Sequence, residues 1–279
     1  MIELGKYNTL EVRRKTSVGL FLSDREGNEL LLPNKYIPEG IEIGEEIKVF
    51  VYKDSEDRII GTTLTPKVFL HQFAYMKVEM ISQHGAFLDW GLEKQLFVPF
   101  REQARKMEEG KWYIIYMYRD EESDRLVASS KINGYLDNDE LTVKVGDQVD
   151  ILICESTDLG INVIINNIHK GLIYHNELFA KVNIGDIRKG YIKNIREDNK
   201  IDVQLQKQGY GNVEPSAQII LEKLKANGGF LELTDASAPE DIAKQLEMSK
   251  KTFKKAIGSL YKNHLINIEQ TGIRWIMTE

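Results

Sequence analysis

In residues 83–88, Gln83-His84-Gly85-Ala86-Phe87-Leu88, a glycine opens a short apolar run after two polar residues. The chain contains two further stretches with a glycine at the same place. The equivalent stretches are Ser17-Val18-Gly19-Leu20-Phe21-Leu22 and Asp158-Leu159-Gly160-Ile161-Asn162-Val163. Fourteen residues after each glycine an apolar strand ends, at Pro33, Pro99 and Tyr174. Twenty-five residues after it comes a second glycine, at Gly44, Gly110 and Gly185. Two preserved offsets in three places indicate three copies of one structural unit.

Each copy predicts about five short strands, because apolar residues alternate with polar ones between Gly, Asp and Asn turns. The first glycine permits a bend with positive φ or a close approach of two backbones. A basic residue opens the last strand of each copy, at Arg58, Arg125 and Lys200. A unit of about 65 residues is near the lower size limit for an independent core. Closing the sheet removes its exposed edges, which favours a barrel over an open sheet.

The period changes from strand-like to helical after residues 207–216, a polar segment with two glycines that predicts a linker. The segments that follow indicate a helix, a short strand, two helices and a hairpin, which is the order of a winged helix. Ser249 is predicted to cap the third helix. The predicted buried side of that helix carries Phe253, Ile257, Leu260 and Tyr261.

The predicted fold is therefore mainly β, with three tandem five-stranded barrels followed by an α+β winged-helix domain. The predicted domains span residues 1–66, 67–138, 139–208 and 215–279.

The composition is that of a globular chain, with 42% hydrophobic and 29% charged residues. No stretch approaches the roughly 18 apolar residues needed to cross a bilayer, and the N-terminal residues lack the apolar core of a secretory signal. The single cysteine, Cys154, cannot form an internal disulfide, and its apolar neighbours predict a buried small side chain. We expect a cytoplasmic protein.

The net charge of −6 argues against binding of nucleic acid by bulk charge. Residues 1–143 carry the whole acidic excess, with 19 Lys+Arg against 25 Asp+Glu, while residues 144–279 hold 18 of each. Any nucleic-acid site must therefore be a local basic patch or an aromatic platform.

Two of the copies contain segments that resemble the RNA-binding motif of ribosomal protein S-one, an OB-fold barrel that binds single-stranded RNA. The matching segments are Gly85-Ala86-Phe87-Leu88, Leu96-Phe97-Val98-Pro99-Phe100-Arg101-Glu102 and Gly171-Leu172-Ile173-Tyr174-His175-Asn176-Glu177-Leu178. Three such units followed by a winged helix resemble the conserved virulence factor B family of bacterial RNA-binding regulators, and the resemblance covers nearly the whole chain. It implies that bases of a single strand stack on aromatic side chains of the second and third strands of a barrel.

The resemblance also implies a set of RNA-binding residues in the barrels. They are Phe21, Arg58, His84, Phe87, Phe97, Arg125, Tyr174, His175 and Lys200. The second copy, with His84, Phe87 and Arg125, retains most of the family pattern, whereas the third has Asn162 in place of an aromatic. Each side chain also has a structural explanation, because the rings can belong to the barrel wall and the charges can be solvated hairpin residues.

The third predicted helix of the winged-helix domain is rich in lysine. Lys251, Lys255 and Lys262 are spaced to share one face opposite the apolar stripe. Together with Arg274 on the wing, they are predicted to contact phosphates. A solvated lysine face, or a surface for a protein partner, is the alternative.

The sequence offers no catalytic constellation. Its five histidines are scattered, none lies at zinc-ligand spacing, and neither a P-loop nor a dinucleotide fingerprint is present. We expect a protein that is not an enzyme, with no cofactor, metal, membrane or small-molecule substrate, and with single-stranded RNA as its partner. Two other functions stay open: a winged-helix regulator that binds DNA, and a protein-interaction scaffold with eroded barrels.

Overall fold

The computed structural model describes residues 1–178, 181–205 and 215–276, and its first three parts are closed five-stranded barrels. Around each barrel the strands follow the order first, second, third, fifth, fourth, which is that of the OB fold and confirms the predicted fold class. Barrel 1 consists of β1 (Tyr7–Lys15), β2 (Gly19–Ser23), β3 (Glu29–Pro33), β4 (Glu46–Lys53) and β5 (Ile59–Thr62). Barrel 2 consists of β6 (Phe73–Ile81), β7 (Gly85–Leu88), β8 (Leu96–Pro99), β9 (Trp112–Arg119) and β10 (Leu126–Ser129). Barrel 3 consists of β11 (Gln148–Ser156), β12 (Gly160–Ile165), β13 (His169–Tyr174), β14 (Ile187–Ile195) and β15 (Ile201–Gln204).

The first repeated glycine opens the second strand of each barrel, directly opposite the end of the third strand. The cross-strand pairs are Gly19 with Pro33, Gly85 with Pro99 and Gly160 with Tyr174. A Cβ added to Gly85 would overlap the carbonyl oxygen of Val98, and the other two glycines meet a carbonyl in the same way. Close backbone approach therefore explains the glycine, and the fourteen-residue offset is the length of one hairpin.

The second repeated glycine closes a bulge in the first strand of each barrel. The N–H groups of Gly44, Gly110 and Gly185 donate to the carbonyls of Val12, Val78 and Ile153 at 2.8 to 2.9 Å. The pairing of the first strand with the second shifts register just after each of these carbonyls. One bulge contact therefore fixes the second offset in all three barrels.

Barrels 1 and 2 share one apolar core. Phe50 and Tyr52 of barrel 1 belong to the same buried cluster as Trp90 and Met117 of barrel 2, and the rings of Phe50 and Trp90 meet edge to face at 5.7 Å. In β9 the core face carries Tyr113, Ile115 and Met117, as expected from the alternation of its sequence. This packing holds barrel 1 against barrel 2 as well as filling each barrel.

Barrel 3 has its own core and meets barrel 2 through a smaller cluster. That cluster buries Phe73 of barrel 2 with Leu152 and Ile164 of barrel 3. Beside it the rings of Tyr116 and Tyr135 stack with their centroids 4.2 Å apart. The predicted boundaries between the domains stay predictions.

The C-terminal part has the predicted winged-helix order. It consists of α1 (Pro215–Ala226), β16 (Phe230–Leu231), α2 (Pro239–Leu246), α3 (Lys250–Lys262), β17 (Ile266–Ile268) and β18 (Ile273–Trp275). The side chain of Ser249 accepts a hydrogen bond from the N–H of Thr252 at 3.1 Å, as expected for the cap of α3. Residues 207–214 of the predicted linker lie outside the described residues, and its last two residues begin α1.

One predicted core residue of α3 is exposed. Phe253, Ile257 and Leu260 are buried, whereas Tyr261 is 55% exposed. Tyr261 comes directly after Leu260 and is therefore turned by about 100° around the helix axis, which moves it to the rim of the apolar stripe. The prediction that Tyr261 packs in the core was wrong.

Candidate nucleic-acid interface

One cleft of barrel 2 brings together the four residues predicted for that barrel. His84, Phe87, Phe97 and Arg125 all line a cavity of about 540 Å³. Phe87 of β7 and Phe97 of β8 are cross-strand partners, with ring centroids 5.0 Å apart and planes tilted by 38°. Both rings are half-buried and His84 is exposed. The cleft thus offers two adjacent aromatic rings on the second and third strands of the barrel.

Barrel 1 forms the opposite wall of this cleft and supplies an acid to it. Tyr52, Lys53 and Ser55 line the cleft from barrel 1. Arg125 Nε donates to Asp57 Oδ1 at 2.8 Å, and a second guanidinium nitrogen contacts the other carboxylate oxygen. This hydrogen bonding lowers the pKa of Asp57 below its ordinary value. The predicted cation of barrel 2 is therefore held in an ion pair between the two barrels.

A second cation of the cleft faces the same acidic turn. Lys94 Nζ lies 3.7 Å from Asp57 Oδ1 and donates to the backbone carbonyl of Asp54 at 2.5 Å. Burial is the largest influence on the pKa of Lys94 and lowers it. Sequence reasoning missed Lys94, because it lies in the loop between the second and third strands and outside the repeated landmarks.

In barrel 1 the two predicted RNA-binding residues, Phe21 and Arg58, each contact charged side chains of the same barrel. The guanidinium of Arg14 lies 3.6 Å from the centroid of the Phe21 ring. Arg58 Nε donates to Asp54 Oδ2 at 2.8 Å, and another nitrogen of Arg58 is 2.9 Å from Glu56. One face of Phe21 is thus occupied by a cation rather than open to a base.

Barrel 3 has a larger cleft of about 980 Å³ at the corresponding strands. It is lined by the predicted Tyr174 and Lys200, by Asn162, and by Arg196 and Lys170. His175 is exposed outside this lining, and its Nε2 lies 2.7 Å from the carbonyl oxygen of Thr157.

Arg196 is one of the residues of this cleft that sequence reasoning missed. Its guanidinium contacts the hydroxyl of Tyr174 and pairs with Asp202 at 2.6 Å. The N–H of Arg196 donates to the carbonyl of Lys200 in the hairpin of the last two strands, where barrels 1 and 2 have Asp54 and Asp120. Comparing these hairpins in the three copies would have found the change from acid to base.

The lysines of α3 lie on its solvent side. Lys251, Lys255 and Lys262 are exposed, and the opposite face of α3 packs into the core of the winged helix. On the wing, Arg274 Nε donates to Glu269 Oε1 at 2.6 Å, and its guanidinium lies 4.7 Å from the centroid of the Phe230 ring. The helix therefore presents a cationic surface, while Arg274 is tied to its own hairpin.

Cys154 lies half-buried in β11, less fully covered than the sequence predicted. Burial raises the pKa of its thiol to about 12. Within the described ranges, no group of three or more His, Cys, Asp or Glu side chains is arranged to hold a metal ion. No helix in the same ranges is long and apolar enough to cross a membrane.

The chain is similar to known families at both ends. Residues 4–64 match the family of S1 domains, and residues 218–274 match the CvfB-like winged helix domain. Both are families of nucleic-acid-binding domains rather than of enzymes.

Relatives match along most of the chain. The protein YitL of Bacillus subtilis is 26% identical over 274 residues, covering 93% of this chain and 89% of YitL. Conserved virulence factor B of Staphylococcus epidermidis is 24% identical over 276 residues, covering 95% of this chain and 92% of that protein. A solved multidomain protein with nucleic acid binding domains, from Streptococcus pneumoniae, is 24% identical, covers 98% of each chain and has a TM-score of 0.47. An S1 domain, three closed barrels and a CvfB-like winged helix thus occur together in a chain that is similar along most of its length to conserved virulence factor B.

Proposed function

We propose that this protein binds single-stranded RNA on the aromatic clefts of barrels 2 and 3, with the lysine face of α3 contacting the backbone. The observation that carries the proposal is the barrel 2 cleft, where Phe87, Phe97, His84 and Arg125 meet in one cavity. The resemblance to the S-one motif implies these residues, and a shared cavity supports a common role.

Stacking is the main interaction available in the cleft. A base laid on the rings of Phe87 and Phe97 gains about 1 to 3 kcal/mol by stacking. A duplex keeps its bases stacked on each other and cannot offer such a face without unpairing, so the cleft favours single strands. His84 at the rim and Arg125 in the wall supply a hydrogen-bonding group and a cation beside the rings.

The lysines of α3 add a second cationic surface to the clefts of the barrels. In the clefts, Arg125 and Lys200 pair with Asp57 and Asp198. The surface of Lys251, Lys255 and Lys262 adds positive charge at a separate place on the chain. Phosphate contacts there would add affinity that depends on salt but not on sequence.

A role in bacterial post-transcriptional regulation in the cytoplasm, with no catalytic step, belongs to the same proposal. It rests on the resemblance to the conserved virulence factor B family given above, and proteins of that name match most of the chain. Crosslinking to RNA in cells, with mapping of the crosslinked peptides, tests it, and crosslinks at Phe87 or within α3 are expected.

The binding test is a titration of labelled single-stranded RNA, with duplex DNA as competitor. Phe87→Ala is expected to weaken RNA binding by roughly 5- to 150-fold, the equivalent of one lost stacking contact. The matched control is Phe100→Ala, since Phe100 is 44% exposed and lies outside the lining of the cleft. RNA affinity that is unchanged in Phe87→Ala and in the double variant Lys251→Glu/Lys255→Glu would refute the assigned sites.

The other two functions give different results in the same titration. A winged-helix regulator of DNA is favoured by the exposed lysines of α3, and preference for duplex DNA over RNA would establish it. Absence of binding to any nucleic acid at low salt would instead favour a scaffold for protein partners.

A further inference from the structure

A third cavity, of about 560 Å³, lies at the junction of barrels 2 and 3. Tyr75, Arg105 and Trp112 line it from barrel 2, and Glu155 and Ile184 line it from barrel 3. It shares four lining residues with the cleft of barrel 3, namely Asn133, Leu136, Asn162 and Lys170. The junction cavity and the cleft of barrel 3 are therefore adjacent. An extended ligand bound in one of them can continue into the other across these four residues.

Trp112 is the largest exposed ring of this junction. It opens β9 on the outer face of barrel 2 and is 47% exposed, whereas its neighbour Tyr113 fills the core and is 7% exposed. The ring of Tyr75 supports the indole from one side, with centroids 5.2 Å apart and planes tilted by 32°. Tyr75 thus holds the indole in place, while about half of the Trp112 side chain stays exposed to solvent.

The barrel itself does not require an aromatic residue at this position. Trp112 comes two residues after the second repeated glycine of its copy, and barrels 1 and 3 have Glu46 and Ile187 there. Glu46 is exposed and Ile187 is 74% exposed. Because a glutamate serves in the same place of the same fold, folding alone does not explain the tryptophan.

Cations outnumber acids in the lining of this cavity. The guanidinium of Arg105 is held 5.4 Å from the centroid of the Tyr113 ring. Lys170 lines both cavities, and Lys77 is the cross-strand partner of Trp112. Glu155 is the acid of the lining, and the amide of Asn162 lies 3.5 Å from its carboxylate. An exposed ring beside Lys77, in a cavity that two cations line, suits a base together with its phosphates.

We infer that Trp112 stacks a base of the single strand that occupies the cleft of barrel 3. The strand passes from Tyr174 over Asn162 and Lys170 into the junction cavity, where Arg105 lies beside its backbone. This inference rests on the proposed function and extends the binding path from one barrel to the next.

The test compares oligouridylates of about 4 and about 12 nucleotides, which span the range of site sizes of OB folds. For the longer oligomer, Trp112→Ala is expected to weaken binding on the order of tenfold, while Trp112→Phe retains most of the affinity. The shorter oligomer, which fills one cavity, is expected to bind both variants nearly as well as the wild type. Ile187→Ala, at the equivalent position of barrel 3, is the matched control.

Tryptophan fluorescence provides a second readout that a stability effect would not mimic. In a Trp275→Phe background, binding of the longer oligomer should quench Trp112, and the quench should fall markedly when Trp112→Phe is added, since the remaining Trp90 is only 2% exposed. Wild-type affinity and quenching in both Trp112 variants would overturn the inference while leaving the proposed function intact. If the wild type binds neither oligomer, the proposed function fails, and this inference fails with it.

Discussion

Replacing Asp57 with asparagine should strengthen the binding of RNA, because the Asp57 carboxylate forms an ion pair with Arg125, a cation of the barrel 2 cleft. The carboxylate pairs with Arg125 across the two barrels and lies 3.7 Å from Lys94. A phosphate that enters the cleft has to displace this pair and approach a negative charge. The substitution should keep the backbone conformation, since the φ of Asp57 is +63° and asparagine tolerates that region better than most residues.

The size of the effect follows from the exposure of the pair. The side chains of Arg125 and Asp57 are 53% and 40% exposed, and ion pairs of that kind contribute about 0.2 to 1 kcal/mol. When Asp57 no longer competes with a phosphate for Arg125, RNA binding should therefore become tighter by at most about fivefold at low salt. A freed Arg125 that contacts one phosphate also steepens the plot of log K against log salt by about 0.7. Stability should fall by less than about 1 kcal/mol.

Fluorescence anisotropy with labelled single-stranded RNA, at about 50 and 200 mM salt, measures the affinity and its dependence on salt. Asp150→Asn is the matched control, because it removes the same charge from an exposed pair with Lys189 in barrel 3, outside the clefts described above. The gain should disappear when Arg125→Gln is added. Wild-type affinity and salt slope in Asp57→Asn would show that the pair does not mask Arg125.

Two further predictions concern stability and reactivity. Gly258→Ala should raise the free energy of unfolding of the winged helix by up to about 1 kcal/mol, since Gly258 lies within α3 and a Cβ there meets nothing within 4 Å; a lower melting temperature in a thermal scan would contradict this. Cys154 in the folded protein should react with iodoacetamide at pH 8 about a thousandfold more slowly than a free thiol, because its raised pKa of about 12 leaves little thiolate. Urea should restore the reactivity, and rapid labelling of the native protein would refute the assignment.

The fold was predictable because its repeated landmarks are local. The offset from Gly85 to Pro99 is the length of one hairpin, and the offset to Gly110 is set by one hydrogen bond at a bulge. Each is a backbone constraint within a single barrel, so it recurs wherever the barrel recurs. The cap at Ser249 and the apolar stripe of α3 are equally local, and there only Tyr261, at the rim of the stripe, was assigned to the wrong side.

The candidate site was predictable only within a barrel. Phe87 and Phe97 come from the adjacent strands β7 and β8, and the motif placed them correctly side by side. The partner of Arg125 is Asp57, 68 residues earlier in the chain and in another barrel. No periodicity in the sequence encodes that contact, because it depends on how the shared core of Phe50 and Trp90 sets one barrel against the next.

The ion pairs of the clefts bear on how a chain with a net charge of −6 could bind a polyanion such as RNA. In barrels 2 and 3, Arg125, Arg196 and Lys200 each pair with an acid, so the barrels have little net charge with which to attract RNA without regard to its structure. Under the proposed function, their affinity comes from stacking, which single strands supply and duplexes do not. The lysines exposed on α3 are proposed to add long-range attraction to the phosphates. The proposed function thus divides the work: the winged helix contacts the backbone and the barrels select unpaired bases.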